Sequence, residues 1–144
     1  MPPGKLAKQA ARFADRELVA RTDLDGETVP REIWEKMGRR GLLGCGIPTL
    51  YGGGGAGFSE LLQALAAFVG AGASPGLALS WFVQLVAGKI LIEGAADSRL
   101  KKELLPEMAA GRLTVSIALS EPGAGSDPRR IATKAVQRGG FYVI

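Results

Sequence analysis

Apolar positions over the first three quarters of the chain recur at the spacing of amphipathic helices. The pattern predicts five helices, the first over residues 5–21 and the others beginning near Pro30, Ser59, Pro75 and Asp97. Proline is favoured in a first helical turn, whereas serine and aspartate are favoured as N-caps. In the fifth helix we expect Pro106 to force a restart and Gly111 to end the helix. The fourth helix is apolar on nearly all faces, which places it at the centre of a bundle.

After the fifth helix the spacing of apolar residues changes from helical to alternating. Residues 114–119 are predicted to form a strand, and residues 131–138 and 141–144 a hairpin around a glycine turn. Two or three strands that end at an open edge make a poor independent sheet. We therefore interpret the fold as mainly α, with an N-terminal helical domain over residues 1–112 and the beginning of an incomplete β domain over residues 113–144.

One uncharged run, residues 61–88, is long enough on paper to span a bilayer. Glycine, serine and proline interrupt it at residues 70–76, so two buried helices joined by a tight turn explain it better than a membrane hairpin. The N-terminal segment carries Asp15 and Glu17 and lacks the apolar core of a signal peptide. These features predict a cytoplasmic protein without a membrane span.

The composition excludes several classes of catalytic and metal site. The 144 residues contain no histidine and a single cysteine, Cys45. Histidine-dependent triads, histidine-ligated metals and internal disulfides are therefore excluded within this chain, and we predict no metal site. Cys45 lies between glycines in an apolar segment, which favours a packing role. The formal net charge of +4 comes from interspersed charges of both signs, so nucleic-acid binding is not predicted.

The segment LSEPGAGSDP, residues 119–128, carries the most informative chemistry. It turns at a proline, contains two glycines, and has the hydroxyls of Ser120 and Ser126 on either side of the turn. Such a loop can present main-chain N–H groups and hydroxyls to an anion or to the edge of a heterocycle. It matches neither the dinucleotide fingerprint nor the P-loop, so the residues alone leave a plain turn and a ligand loop both open.

Two other features favour structural interpretations. Trp34, Trp81 and Phe82 occupy helical apolar positions and are predicted to belong to the core. The glycine run over residues 52–57 is predicted to be a flexible loop, because no lysine or hydroxyl follows closely enough for a phosphate cradle.

At SEPGAGSD, residues 120–127, the chain resembles the acyl-CoA dehydrogenase family, whose signature is a T/S-E-P-x-A-G-S-D block. The approach ELLPEMAAGRLTVSIALSEP over residues 103–122, the YGG segment at 51–53 and the GFYV segment at 140–143 are similar to further family segments in the same order. The resemblance covers about residues 30–144. It implies an N-terminal helical bundle followed by a β domain that carries the first part of an FAD site.

The resemblance also implies roles for individual residues. Those that match the flavin-lining segment of the family are Ile117, Ala118, Leu119, Ser120, Glu121, Pro122, Gly123, Ala124, Gly125 and Ser126. The main chain near Leu119 and Ser120, with the Ser120 hydroxyl, would face the pyrimidine edge of FAD, where donors stabilise developing negative charge. Serine replaces the commoner threonine there and keeps the hydroxyl. Ser126 would also lie where the acyl-CoA substrate approaches.

On this resemblance, the complete enzyme oxidises an acyl-CoA thioester to the 2-enoyl-CoA, with the hydride passing to FAD. Electron-transfer flavoprotein or another acceptor is the implied redox partner, and a homo-oligomer, tetramer or dimer, is the implied assembly. The family's catalytic glutamate belongs to a later segment, and Glu121 belongs to the flavin-side turn. We therefore assign no catalytic residue within residues 1–144 and expect this chain alone to be inactive.

Two alternatives stay open. A flavin oxidase or monooxygenase of the same fold would share this N-terminal half. A non-catalytic helical subunit or pseudoenzyme that docks on a full-length partner would explain the open strand at residues 141–144. The basic residues after Asp127 are interpreted as a solvated face, with attraction for coenzyme A phosphates as the alternative; they are Arg129, Arg130, Lys134 and Arg138.

Overall fold

The computed structural model describes residues 4–21, 23, 28–95 and 97–144. The α-helices in these residues are Lys5–Glu17 (α1), Arg31–Arg39 (α2), Phe58–Gly70 (α3), Pro75–Val86 (α4), Glu93–Ala95 (α5) and Ser98–Ala109 (α6). A π-helical segment, Ala87–Ile92, joins α4 to α5, and short 3-10 turns lie at Thr49–Tyr51 and Pro128–Arg130. The strands Val136–Arg138 (β1) and Phe141–Val143 (β2) form an antiparallel pair. The predicted fold class, mainly α with the first strands of a β region, is confirmed.

Side-chain caps confirm the predicted starts of α4 and α6. At the start of α4 the Leu77 N–H donates to the Ser74 hydroxyl at 3.2 Å. At the start of α6 the Leu100 N–H donates to Asp97 Oδ1 at 2.8 Å. Each cap satisfies one of the backbone donors that a helix leaves without an internal partner.

The restart predicted at Pro106 does not occur, because α6 continues through this residue to Ala109. Proline removes one main-chain hydrogen bond from the helix. Leu105 and Met108 on either side are fully buried, so the packing of this turn outweighs that loss. Gly111 then adopts a φ of +78°, which confirms the predicted end of the helix.

Two other helix ends differ from the prediction. The N-cap of α3 is Gly57 rather than Ser59, and the Gly57 N–H donates to Glu60 Oε2 at 3.1 Å. A carboxylate three residues into the helix thus does the capping that was expected of a hydroxyl. The first helix ends at Glu17 rather than at residue 21, because the backbone at Leu18 departs from helical geometry and its side chain is buried in the core.

A row of aromatic rings forms the centre of the bundle. The rings of Phe13 in α1 and Phe68 in α3 are stacked with centroids 6.4 Å apart. Trp81 of α4 meets Phe68 edge-on at 4.9 Å and is fully buried. Its indole Nε1 donates to the carbonyl of Leu42 at 3.0 Å. The predicted core positions of Trp81 and Trp34 are confirmed, whereas Phe82 is only half-buried.

The glycine run over residues 52–57 differs from the flexible loop predicted, because it has a defined hydrogen-bonded conformation. The Gly55 N–H donates to the carbonyl of Ile47 at 2.8 Å. A Cβ at Gly53 would overlap the same carbonyl oxygen. Glycine is therefore required at Gly53 for the close approach of two backbone segments.

A second close approach joins the end of α2 to the end of α6. A Cβ at Gly38 would overlap the carbonyl oxygen of Ala110. A Cβ at Gly44 would lie 2.7 Å from the Cβ of Ala109. The two segments therefore meet backbone to backbone at Gly38, and only the Ala109 methyl group lies between them at Gly44.

The uncharged run over residues 61–88 forms α3 and α4 with a tight turn between them, which confirms the two-helix interpretation. Gly72 in that turn has a φ of +100°, a conformation that favours glycine. In the part of the chain that the structure describes, no helix is long and apolar enough to cross a membrane.

The β region consists of the predicted hairpin, whose first strand covers residues 136–138 rather than 131–138, and an extended segment. In the hairpin Gln137 pairs with Tyr142, and Gly139 has the positive φ of a tight turn. The strand predicted over residues 114–119 does not form, because nothing in the described chain pairs with it. In this segment residues 112, 114 and 116 are exposed and residues 113 and 115 are half-buried, so the predicted alternation is seen only over residues 112–116.

Candidate functional site

The ten residues singled out by the sequence form one continuous segment that leads from α6 into a tight turn. Glu121 and Ala124 close the turn with two main-chain hydrogen bonds of 2.9 and 3.0 Å. Ala124 is buried, and a Cβ at Gly123 or at Gly125 would meet open space. The turn is thus packed against the protein through Ala124, whereas Gly123 and Gly125 face open space.

The Glu121 carboxylate fastens this turn to the chain eleven and twelve residues later. Oε2 accepts the N–H of Ala132 and Oε1 accepts the N–H of Thr133, each at 2.9 Å. The Thr133 hydroxyl, together with these N–H groups, holds the pKa of Glu121 below its ordinary value. A carboxylate with both oxygens occupied by main-chain donors is a structural acceptor and a poor general base.

This arrangement predicts a pH-dependent loosening of the turn. The folded pKa of Glu121 is depressed, so its stabilising contribution is present at neutral pH. That contribution is lost as the pH falls through the folded pKa, below the ordinary glutamate value of about 4.3. We expect the backbone amide resonances of Ala132 and Thr133 to titrate together in that acidic range, as followed by nuclear magnetic resonance. Glu121→Gln should abolish the shared step, and a midpoint at or above about 4.3 would contradict the assignment.

A second carboxylate orders the residues after the turn. Asp127 Oδ1 accepts both the main-chain N–H of Arg129, at 3.2 Å, and its Nε, at 2.8 Å. The guanidinium of Arg129 holds the pKa of Asp127 below its ordinary value. Arg129 is therefore engaged locally. The exposed basic side chains that follow it in the described chain are Arg130, Lys134 and Arg138.

The segment before the turn exposes both donors and apolar side chains. Ile117 and Leu119 are 42% and 62% exposed, and Ser120 and Ser126 are also exposed. Within the described residues, no hydrogen bond engages either serine hydroxyl or the main-chain N–H groups of residues 116–120. The segment therefore offers unused donors beside an apolar surface, which suits the polar edge and the flat ring of a heterocycle.

The sequence interpretation missed one polar residue that shapes this segment, Gln84 of α4. Its Nε2 donates to the carbonyl of Leu113 and its Oε1 accepts the N–H of Val115, both at 2.9 Å. Gln84 is also the one polar side chain that is fully buried in the described part of the chain. The available signal was a single amide in a helix whose other polar side chain is Ser80.

Burial raises the pKa of the Cys45 thiol to about 12, which fits the packing role predicted for it. Among the residues that the structure describes, no group of three potential ligands is placed to hold a metal ion.

Comparison with known proteins decides the family. A family model described as "Acyl-CoA dehydrogenase, N-terminal domain" matches residues 4–112. The chain belongs to the acyl-CoA dehydrogenase family. The resemblance seen in the sequence is thereby confirmed.

Individual relatives agree with this assignment. An acyl-CoA dehydrogenase of Mycobacterium tuberculosis is 37% identical over 113 residues, which are 78% of this chain and 28% of that protein. A 3-(aryl)acrylate reductase of Clostridium sporogenes is 33% identical over 141 residues, 96% of this chain and 37% of that protein. Among solved structures, a glutaryl-CoA dehydrogenase from Mycobacterium smegmatis in complex with FADH2 superposes with a TM-score of 0.82 at 26% identity, covering 93% of this chain and 34% of that one. This acyl-CoA dehydrogenase-family chain thus spans about a third of the length of such relatives.

Proposed function

We propose that this chain forms one wall of the flavin site of an FAD-dependent acyl-CoA dehydrogenase. The reaction removes a proton from Cα and a hydride from Cβ of an acyl-CoA thioester and leaves the 2-enoyl-CoA. Bound FAD supplies the hydride acceptor. Membership of the acyl-CoA dehydrogenase family supports this assignment, and the relative from Mycobacterium smegmatis was solved with FADH2.

The observation that carries the proposal is the open segment over residues 117–126. Its free N–H groups and the Ser120 hydroxyl are donors for the pyrimidine edge of the flavin, and Ile117 and Leu119 offer an apolar surface to the ring. Donors that are already in place stabilise negative charge without reorganising during the reaction. The carboxylate of Glu121 holds the turn in this open shape.

In the proposed enzyme, Ser126 lies on the substrate side of the segment, and the proton acceptor lies outside this chain. The commitment of Glu121 to two main-chain donors supports the second assignment, since it makes this carboxylate a poor proton acceptor. We further propose electron-transfer flavoprotein or a related acceptor as redox partner and a homo-oligomeric assembly.

Anaerobic mixing of the purified protein that carries this chain with a panel of acyl-CoA thioesters tests the proposal. We expect the visible absorbance of bound flavin to fall and the product to have lost two hydrogens by mass spectrometry. Rapid reoxidation by dioxygen alone would favour the oxidase or monooxygenase alternative. Purification without FAD, and no reduction after FAD is added, would overturn the proposal in favour of a non-catalytic subunit.

Ser120→Ala should slow flavin reduction more than it weakens acyl-CoA binding. Loss of one donor at developing charge slows a reaction by about tenfold or more, whereas a donor to the flavin edge contributes little to thioester affinity. Stopped-flow reduction over a range of acyl-CoA concentrations separates the two effects.

Ser116→Ala is the matched control for this substitution. Ser116 is exposed on the same extended segment but precedes the residues that match the flavin-lining segment, so its replacement should change neither quantity. A larger change in binding than in reduction rate for Ser120→Ala would contradict the role of the hydroxyl.

A further inference from the structure

Gln84 occupies an unusual position for an amide. It lies in α4, close to the π-helical segment Ala87–Ile92, and only 1% of the residue is exposed. Burying an amide is unfavourable unless hydrogen bonds replace those it makes to water. Both polar atoms of the Gln84 amide make a hydrogen bond, Nε2 as a donor and Oε1 as an acceptor.

The partners of Gln84 are two main-chain groups on the same side of an extended segment. In an extended chain the carbonyl of one residue and the N–H of the second residue after it point to the same side. The Gln84 amide therefore bonds Leu113 and Val115 as the N–H and the C=O of one residue in a neighbouring parallel strand would. The helix supplies the pairing that the segment lacks in the described β region.

We call the two hydrogen bonds from Gln84 to Leu113 and Val115 the Gln84 clamp. It is the last hydrogen-bonded contact before the turn closed by Glu121 and Ala124. Leu113 N–H also donates to the carbonyl of Glu107, but beyond residue 115 the described segment makes no further hydrogen bond until Glu121. The open segment over residues 117–126 therefore begins directly after a buried fixed point. Its position relative to the helices depends on that point.

We infer that Gln84 is a positioning residue, whose amide fixes residues 113–115 on the helical bundle and thereby places the flavin-side segment. This inference rests on the proposed function for its catalytic consequence. The clamp itself is a property of the fold and can be measured without flavin chemistry.

The test uses Gln84→Met in the whole protein that carries this chain. Methionine has a similar length and keeps the site filled, but it removes both hydrogen bonds. In peptides covering residues 113–120 we expect hydrogen exchange of the Val115 amide, which Gln84 accepts, to accelerate by about tenfold, with exchange in α3 unchanged. Flavin reduction should slow by about tenfold, while the acyl-CoA concentration for half-maximal rate stays within about twofold.

Two further variants control for general damage to the core. Gln63→Met removes a side-chain hydrogen bond of 3.3 Å to Ser59 within α3 and should change neither exchange at residues 113–120 nor reduction. Gln84→Glu keeps an acceptor for the Val115 N–H and, while its carboxyl is protonated, a donor for the Leu113 carbonyl. It should therefore give smaller changes at mildly acidic pH than at alkaline pH, where a buried carboxylate faces that carbonyl.

Each alternative outcome overturns a specific part of the inference. Unchanged exchange at residues 113–120, or faster exchange across all helices, would show that Gln84 is not a local clamp. Faster local exchange with unchanged flavin reduction would show that the clamp does not place the flavin-side segment. If the wild-type protein neither binds nor reduces FAD, the proposed function fails and the catalytic part of this inference fails with it. The exchange result would still decide the clamp.

Discussion

Trp81→Ala is expected to lower the free energy of unfolding by about 3–5 kcal/mol. The indole is fully buried, packs edge-on against Phe68 and lies at the centre of the aromatic row. Its removal leaves a large cavity between α3 and α4, and surrounding side chains collapse into such a space only in part. Urea denaturation followed by circular dichroism measures the loss.

A pair of phenylalanine variants separates the hydrogen bond of Trp81 from its volume. Trp81→Phe removes the donor to the Leu42 carbonyl and should cost about 1–3 kcal/mol beyond the loss of apolar area. Trp34→Phe makes the same chemical change at a buried indole whose Nε1 has no partner in the described residues. It should therefore cost less. Equal losses for the two variants would mean that the Trp81 hydrogen bond contributes nothing.

Gly38→Ala is expected to be the most damaging single-methyl change among the helical glycines of the described chain. The new Cβ would overlap the main-chain carbonyl oxygen of Ala110, which cannot rotate away as a side chain can. Overpacking of this kind costs about 1–3 kcal/mol and often more when backbone must move. The same denaturation experiment should show a lower midpoint with an unchanged slope.

Gly70→Ala is the control, because Gly70 is also helical and has open space where the Cβ would be. Alanine is a better helix former than glycine by about 1 kcal/mol, so this variant should be neutral or more stable. If both variants lose the same stability, the contact between Gly38 and Ala110 is not the cause.

Local patterns were sufficient to place the main helices and the hairpin turn, although not every end of these elements. Helical spacing of apolar residues, with Pro75 in a first turn and a cap at Asp97, placed α4 and α6 correctly. Such signals depend on residues three or four positions apart, which the sequence displays directly. The tight turn of the hairpin was equally visible from its two glycines.

The errors came where distant residues override local preference. Pro106 stays inside α6 because its neighbours are buried against other parts of the chain. Residues 114–119 have the right alternation for a strand, but a strand needs a partner that alternation cannot supply. The glycine run at 52–57 is ordered by main-chain hydrogen bonds to residues 44–48, which composition does not reveal.

The candidate site divides in the same way. Its ten residues come from a family signature and stay a prediction, whereas the Glu121–Ala124 closure of the turn is a local feature that the structure adds. The clamp by Gln84 was invisible, because its two partners lie about thirty residues away along the chain. Only the folded arrangement shows that this amide and the segment meet.

The close contact between the ends of α2 and α6, at Gly38 and Ala110, also affects how the protein folds during synthesis. Gly38 leaves the ribosome about 70 residues before Ala110, which at about 5–20 residues per second is a delay of roughly 4–14 seconds. Throughout that interval the surface that Ala109 and Ala110 later cover, at and after the end of α2, is exposed to solvent. This contact surface of the nascent N-terminal helices therefore stays exposed for seconds. The exposure makes these helices candidates for chaperone protection until α6 emerges.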